Sequence, residues 1–214
     1  MNFELPTIYP ITDARISGIS HAAQVNELVA GGARLIQLRE KNSPSGDFYY
    51  SALEAMRAAR DAGVQIIIND RVDVALGIGA DGVHLGQNDL SPDNARKILG
   101  DEAIIGFSTH TLEQARRALS LPVDYIAIGP IFETRTKENP DKTVGLAGLR
   151  RVCDAIGDFP LVAIGGITID NVDSVFEAGA DSVAIIGALL SEPIAIADRM
   201  REFAEAVRRN PNIV

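Results

Sequence analysis

The chain has no tryptophan, a single cysteine and only 5 % aromatic residues, although 46 % of it is apolar. A core built from it must therefore be Val, Ile, Leu and Ala, a composition that fits parallel strands wrapped by alanine-rich helices. The lone Cys153 cannot form an internal disulfide, which favours a reducing, cytosolic setting. No run approaches the length of apolar residues that spans a membrane, and the N-terminus lacks a basic segment followed by an apolar one. The expectation is a soluble cytoplasmic protein. Cations are also in short supply: Lys and Arg number 20 against 29 Asp and Glu, for a net charge of −9. That balance argues against nucleic acid or an anionic membrane as partner, so any anionic ligand must be a small molecule held by a local basic cluster.

At 214 residues the chain suits one domain spanning residues 1–214. Short apolar runs bounded by Gly, Asp and Asn alternate with longer stretches of helical spacing. Strands are expected at 5–12, 35–38, 66–68, 82–85, 103–107, 125–128, 161–164 and 182–186. Pro10 weakens the first, because proline removes a ladder donor. Helices are expected at 21–30, 43–61, across 72–78, from about 91 to 99, at 111–119, 146–156, 170–177 and 193–207, several with Gly just beyond their ends. Eight strand-then-helix units with short connections require a parallel sheet, and right-handed crossovers in series close most naturally as an eight-stranded (β/α)8 TIM barrel. An open doubly wound sheet is the alternative, disfavoured because no Gly-x-Gly-x-x-Gly follows the first strand. The segment after residue 209 is expected to fray.

In such a barrel the site is built from the residues just beyond each strand's C-terminal end. Here that ring comprises Gln37, Arg39 and Lys41; Asn69 and Asp70; Gln87 and Asp89; Ser108; Thr134, Thr136 and Lys137; Gly165 and Gly166; and Ile186 and Gly187. Asp70 and Asp89 each succeed a strand of the central unit at 66–90. They read either as a carboxylate pair for a hard cation such as Mg²⁺ or as two helix N-caps. With three cations on the same rim, the ring suits a diphosphate bridged to a metal. Paired glycines in AIGGI at 163–167, before a helix, let backbone N–H groups approach a second phosphate, or simply make a tight turn. The long polar stretch 129–145 reads as a mobile lid or an ordinary surface loop. His84 is expected to be a hydrogen-bonded core residue, and His110 is the one histidine considered for proton transfer.

These residues resemble the thiamine-phosphate synthase family along essentially the whole chain. The resemblance rests on QLREK at 37–41, IND at 68–70, GVHLGQNDL at 82–90, GPIFETRTK at 129–137 and AIGGIT at 163–168. It implies condensation of 4-amino-2-methyl-5-hydroxymethylpyrimidine diphosphate with a thiazole phosphate, giving thiamine monophosphate and diphosphate. It implies further that Gln37, Arg39, Lys41, Asn69, Ser108 and Lys137 hold the pyrimidine diphosphate and that Asp70 and Asp89 hold Mg²⁺. Thr134, Thr136, Gly166, Ile186 and Gly187 would line the thiazole phosphate pocket, with Arg39, Lys41 and Lys137 absorbing the leaving charge. Gly187 stands where the family usually has serine, and Glu133 where it usually has proline. Two rivals remain: a related thiazole tautomerase using His110, and a non-catalytic barrel that binds a phosphorylated metabolite. A homo-oligomer is compatible with the chain.

Overall fold

In the computed structural model, which describes residues 3–134, 136 and 141–209, eight parallel strands close on themselves in sequence order. They are β1 (Ile8–Thr12), β2 (Leu35–Leu38), β3 (Gln65–Asn69), β4 (Gly82–Leu85), β5 (Ile104–Thr109), β6 (Tyr125–Ile128), β7 (Leu161–Ile164) and β8 (Ser182–Ile185). β8 pairs back onto β1 through Ile8 with Val183 and Tyr9 with Ala184. The sheet is therefore a barrel, not an open doubly wound layer.

Helices alternate with the strands as α1 (Ala14–Ser17), α2 (His21–Ala30), α3 (Ser45–Asp61), α4 (Val72–Ile78), α5 (Pro92–Leu99), α6 (Leu112–Ala118), α7 (Gly145–Ile156), α8 (Val172–Glu177), α9 (Gly187–Leu190) and α10 (Ile196–Arg209). Their starts obey local chemistry. Asp13, Ser20, Ser91 and Thr111 accept first-turn N–H groups, satisfying donors that a helix leaves open. α1 and α9 are absent from the sequence expectation because four residues carry no periodicity. The expected last helix at 193–207 begins instead as a 3-10 turn, Pro193–Ala195, and runs on to Arg209. β1 does run through Pro10, buried and paired with Ile185, so closure by both neighbouring strands outweighs the missing N–H. Among the described residues no helix is long and apolar enough to cross a membrane.

Packing separates into two layers. One lies between strands and helices and is aliphatic, from Val25 and Leu28 round to Leu189 and Phe203. The other fills the barrel and contains Tyr9, Ile11, Leu35, Ile67, Ile104, Tyr125, Val162 and Ala184. With Phe3 against Tyr125 below, the lower interior is closed. Above this plug the inward-facing positions turn polar: Gln37, Asn69, His84 and Ser108.

Candidate active site

A cavity of about 930 Å³ opens at the C-terminal ends of the strands. Every described member of the predicted set borders it: Gln37, Arg39, Lys41, Asn69, Asp70, Asp89, Ser108, Thr134, Thr136, Gly166, Ile186 and Gly187. Lys137 lies outside the described residues, as do Arg135 and 138–140. Strand geometry explains the convergence, since each residue sits at or just beyond the end of a parallel strand.

The carboxylates lie side by side. Asp70 occupies a left-handed conformation at φ +62°, the only described non-glycine residue to do so. Such a backbone costs on the order of 1–3 kcal/mol and is characteristic of functional turns. Its N–H donates to the His84 carbonyl at 2.8 Å, fixing the turn. The Asp89 carboxyl is pushed above the usual aspartate range by burial, with the neighbouring Asp70 side chain adding to the rise and the Gly86 N–H and Lys41 opposing it. Neither aspartate caps a helix: α5 is capped by Ser91, and α4 starts after Arg71 with no side-chain cap. Asp89 accepts the Gly86 N–H at 2.7 Å instead. The capping alternative is thus set aside by the structure. Two adjacent carboxyl groups facing an open cavity fit a hard oxygen-seeking cation that keeps further positions for ligand oxygens. Among the described residues no group of three or more His, Cys, Asp or Glu is placed to hold a metal ion.

Two cations share the cavity wall with this pair. The Lys41 ammonium donates to Asp70, and the Arg39 guanidinium donates to Asp13. Asp13 also accepts the N–H groups of Arg15 and Ile16 at 3.0 and 3.1 Å, so α1 anchors Arg39. Buried Asn69 leaves its Nδ2 without any partner, an orphan donor on the cavity wall. An unsatisfied buried amide of this kind costs about 1–3 kcal/mol, which a ligand acceptor would recover.

The opposite wall is glycine and hydroxyl. At Gly165 and Gly166, φ is +103° and +66°, and a Cβ on either would fall 2.5 Å from Pro130 or Glu133 atoms. These glycines are required because the chain after β6 packs directly on the turn after β7, through Phe132 N–H to Gly165 O at 3.0 Å. Asn171 ties the turn by donating to Gly166 O at 3.0 Å. Thr134 Oγ1 accepts the Thr136 N–H at 3.3 Å, and Gly187 begins α9 beside Thr136.

Three cavity or floor residues escaped the sequence reading of the site. Tyr9 and His84 line the cavity, and Tyr125 lies just beneath. The expectation for His84 as a buried, hydrogen-bonded residue agrees with its contacts to Ser108 Oγ at 2.8 Å and Tyr125 Oη at 3.0 Å. His110 also borders the cavity, its Nδ1 2.7 Å from the Gly129 carbonyl and its Nε2 3.5 Å from Asp141. The signal for Tyr9 and Tyr125 was position alone: both are polar-tipped aromatics on inward-facing strand positions, in a chain poor in aromatics.

Comparisons with known proteins agree on a family. A sequence model described as thiamine monophosphate synthase matches residues 8–189. The chain is 47 % identical to a thiamine-phosphate synthase of Koribacter versatilis over 89 % of its own length and 92 % of the relative's. It is 44 % identical to one of Clostridium novyi, over 86 % and 90 %. Among solved structures, a thiamine phosphate pyrophosphorylase from Pyrococcus furiosus superposes with a TM-score of 0.86 at 34 % identity, covering 96 % of both chains. A fold built strand by strand to gather these side chains, and a match over most of its length, place the chain in the thiamine monophosphate synthase family.

Proposed function

We propose that the cavity joins an aminopyrimidine-methyl diphosphate to a thiazole phosphate, releasing diphosphate and forming thiamine monophosphate. The observation that carries this reading is the meeting of Asp70, Asp89, Lys41 and Arg39 on one side of a cavity whose other side is Gly166, Thr134, Thr136 and Gly187. One wall suits a diphosphate with a divalent cation, the other a single phosphate.

In the reaction the C–O bond between the pyrimidine methylene and diphosphate breaks, both electrons leaving with the diphosphate. The electron-rich aminopyrimidine sustains the cationic methylene, and the thiazole nitrogen attacks it, so no protein nucleophile is needed. Mg²⁺ held by Asp70 and Asp89 would supply positive charge to the departing oxygens. The chain's own residues do the rest: Arg39 and Lys41 neutralise the leaving group, Asn69 and Ser108 orient it, and the glycine wall fixes the acceptor in line. Lys137 is assigned with the cations by the family motif. The single cysteine fits a cytoplasmic enzyme.

Supplying the protein, Mg²⁺ and both substrates should yield thiamine monophosphate, and Asp70→Ala should abolish it while leaving the fold intact by circular dichroism. Near-normal turnover in Asp70→Ala would remove the assigned mechanism. The tautomerase rival keeps one observation, His110 beside Asp141 on the cavity wall. It predicts that His110→Gln, not Asp70→Ala, eliminates activity on the thiazole substrate.

A further inference from the structure

Along the floor of the cavity a line of polar side chains crosses the barrel interior. Gln37 Nε2 donates to Tyr9 Oη at 3.0 Å; Tyr9 Oη lies 2.9 Å from Tyr125 Oη; Tyr125 Oη lies 3.0 Å from His84 Nδ1; and His84 Nε2 lies 2.8 Å from Ser108 Oγ. Tyr125 is fully buried and is not part of the cavity wall, so it reaches a ligand only through its neighbours. The fold makes room for this line at one point. Gly106 pairs with His84 on one side and Tyr125 on the other. A Cβ there would sit 2.3 Å from Tyr125 Oη and 2.5 Å from His84 Nδ1. The missing side chain on β5 is what lets β4 and β6 touch across it.

Proton counting gives the line a direction. An amide nitrogen offers only protons, so Tyr9 Oη accepts from Gln37, and its own proton, which has no other partner among the described residues, goes to Tyr125 Oη. Tyr125 then donates to His84 Nδ1. A neutral imidazole with Nδ1 accepting carries its proton on Nε2, and donates it to Ser108 Oγ. The Ser108 proton is released toward the cavity. Every member stays uncharged near neutral pH: burial raises both phenols well above their ordinary range and lowers His84 to about 4. With the amide flipped, all the arrows reverse, and Ser108 would present lone pairs to an anion.

We propose that Tyr125 is a positioning residue: acting with Tyr9 through His84, it passes the polarity of the Gln37 amide to Ser108, making that hydroxyl an obligate donor to an anionic ligand. The proposal rests on the reading that the cavity takes a diphosphate, and it gives a role to a phenol that does not border the cavity and is paired with Tyr9 in a plug whose other members are apolar.

The test is a double-mutant cycle on inorganic diphosphate binding with Mg²⁺, measured by calorimetry for the wild type, Tyr125→Phe, Ser108→Ala and the double variant, alongside ¹⁵N NMR of His84 in the wild type. Tyr125→Phe should weaken binding roughly 3- to 10-fold, the worth of one hydrogen bond, and should add nothing once Ser108 is alanine. The His84 proton should be on Nε2. Equal weakening by Tyr125→Phe in both backgrounds, or none in the wild type, overturns the relay, as does a proton on Nδ1. The NMR result stands even if a variant fails to fold. A wild type that shows the Nε2 tautomer but binds no diphosphate would count against the functional reading and not against the relay.

Discussion

Asp89 shows how one residue's ionisation bears on ligand binding. Its carboxyl holds a proton more tightly than an ordinary aspartate because of burial and the adjacent Asp70. A divalent cation bound there must displace that proton, so Mg²⁺ affinity should fall as pH is lowered, starting at a higher pH than a free aspartate would show. Calorimetric titration of Mg²⁺ into the wild-type protein between pH 5 and 8 checks this, and an affinity that stays level across that range would contradict it. Gly187 offers a gain rather than a loss. Its φ is not left-handed, and among the described residues a Cβ would meet only Thr136 Oγ1 at 3.6 Å, an ordinary contact. Gly187→Ser therefore fits, and a new hydroxyl donor should lower the KM for the thiazole phosphate several-fold, by about 1 kcal/mol, at unchanged kcat. At this scale the sequence shows residues that succeed strand ends, because a parallel barrel turns sequence position into spatial position. It does not show Tyr9 or Tyr125, whose roles depend on which residues meet across the interior, or the Arg39–Asp13 pair, which depends on β1 lying beside β2.

Among the elements, a recurrent device sets strand register at the end of the barrel remote from the cavity. Asp81, Asp124 and Asp181 each directly precede an even-numbered strand, β4, β6 or β8. Each carboxylate accepts an N–H from the start of the strand before it: Ile66, Ile105 and Leu161, at 2.7, 2.7 and 2.8 Å. A one-residue slip would break that bond and turn the inward residues outward. Asp181→Ala should therefore cost about 1–3 kcal/mol in chemical denaturation while leaving kcat and KM unchanged, since a charged acceptor is lost far from the cavity. A loss of activity without loss of stability would contradict the assignment. Strands β2, β4, β6 and β7 are readable to the residue because short apolar runs sit between breakers. β5 extends two residues beyond its expected end, to Thr109, because Ser108 and Thr109 pair with Ala127 and Ile128. That pairing is tertiary and leaves no mark on local composition, and it is what turns Ser108 inward.

For the molecule as a whole, the barrel interior couples protonation to stability. His84 is held between Tyr125 and Ser108, and burial, with Lys41 adding to it and Asp89 opposing, lowers its pKa to about 4. In the unfolded chain it would titrate near 6.5, so between about pH 6.5 and 4 the unfolded state binds a proton that the folded state refuses. Stability is then full above that window and is lost as pH falls through it, by about 3 kcal/mol at the lower end. Buried His21 is shifted in the same direction. Asp89 works the other way, since a raised carboxyl favours the fold as it takes up a proton, so the clearest slope lies in the upper part of the window. Against a typical total of roughly 5–15 kcal/mol, this loss should be plain in urea titrations at pH 7 and pH 5. His84→Gln should flatten the dependence, because glutamine has no proton to refuse. An equal midpoint for the wild type at both pH values would mean that His84 is not held neutral by the barrel, and would also weaken the hydrogen-bond direction assigned to its floor.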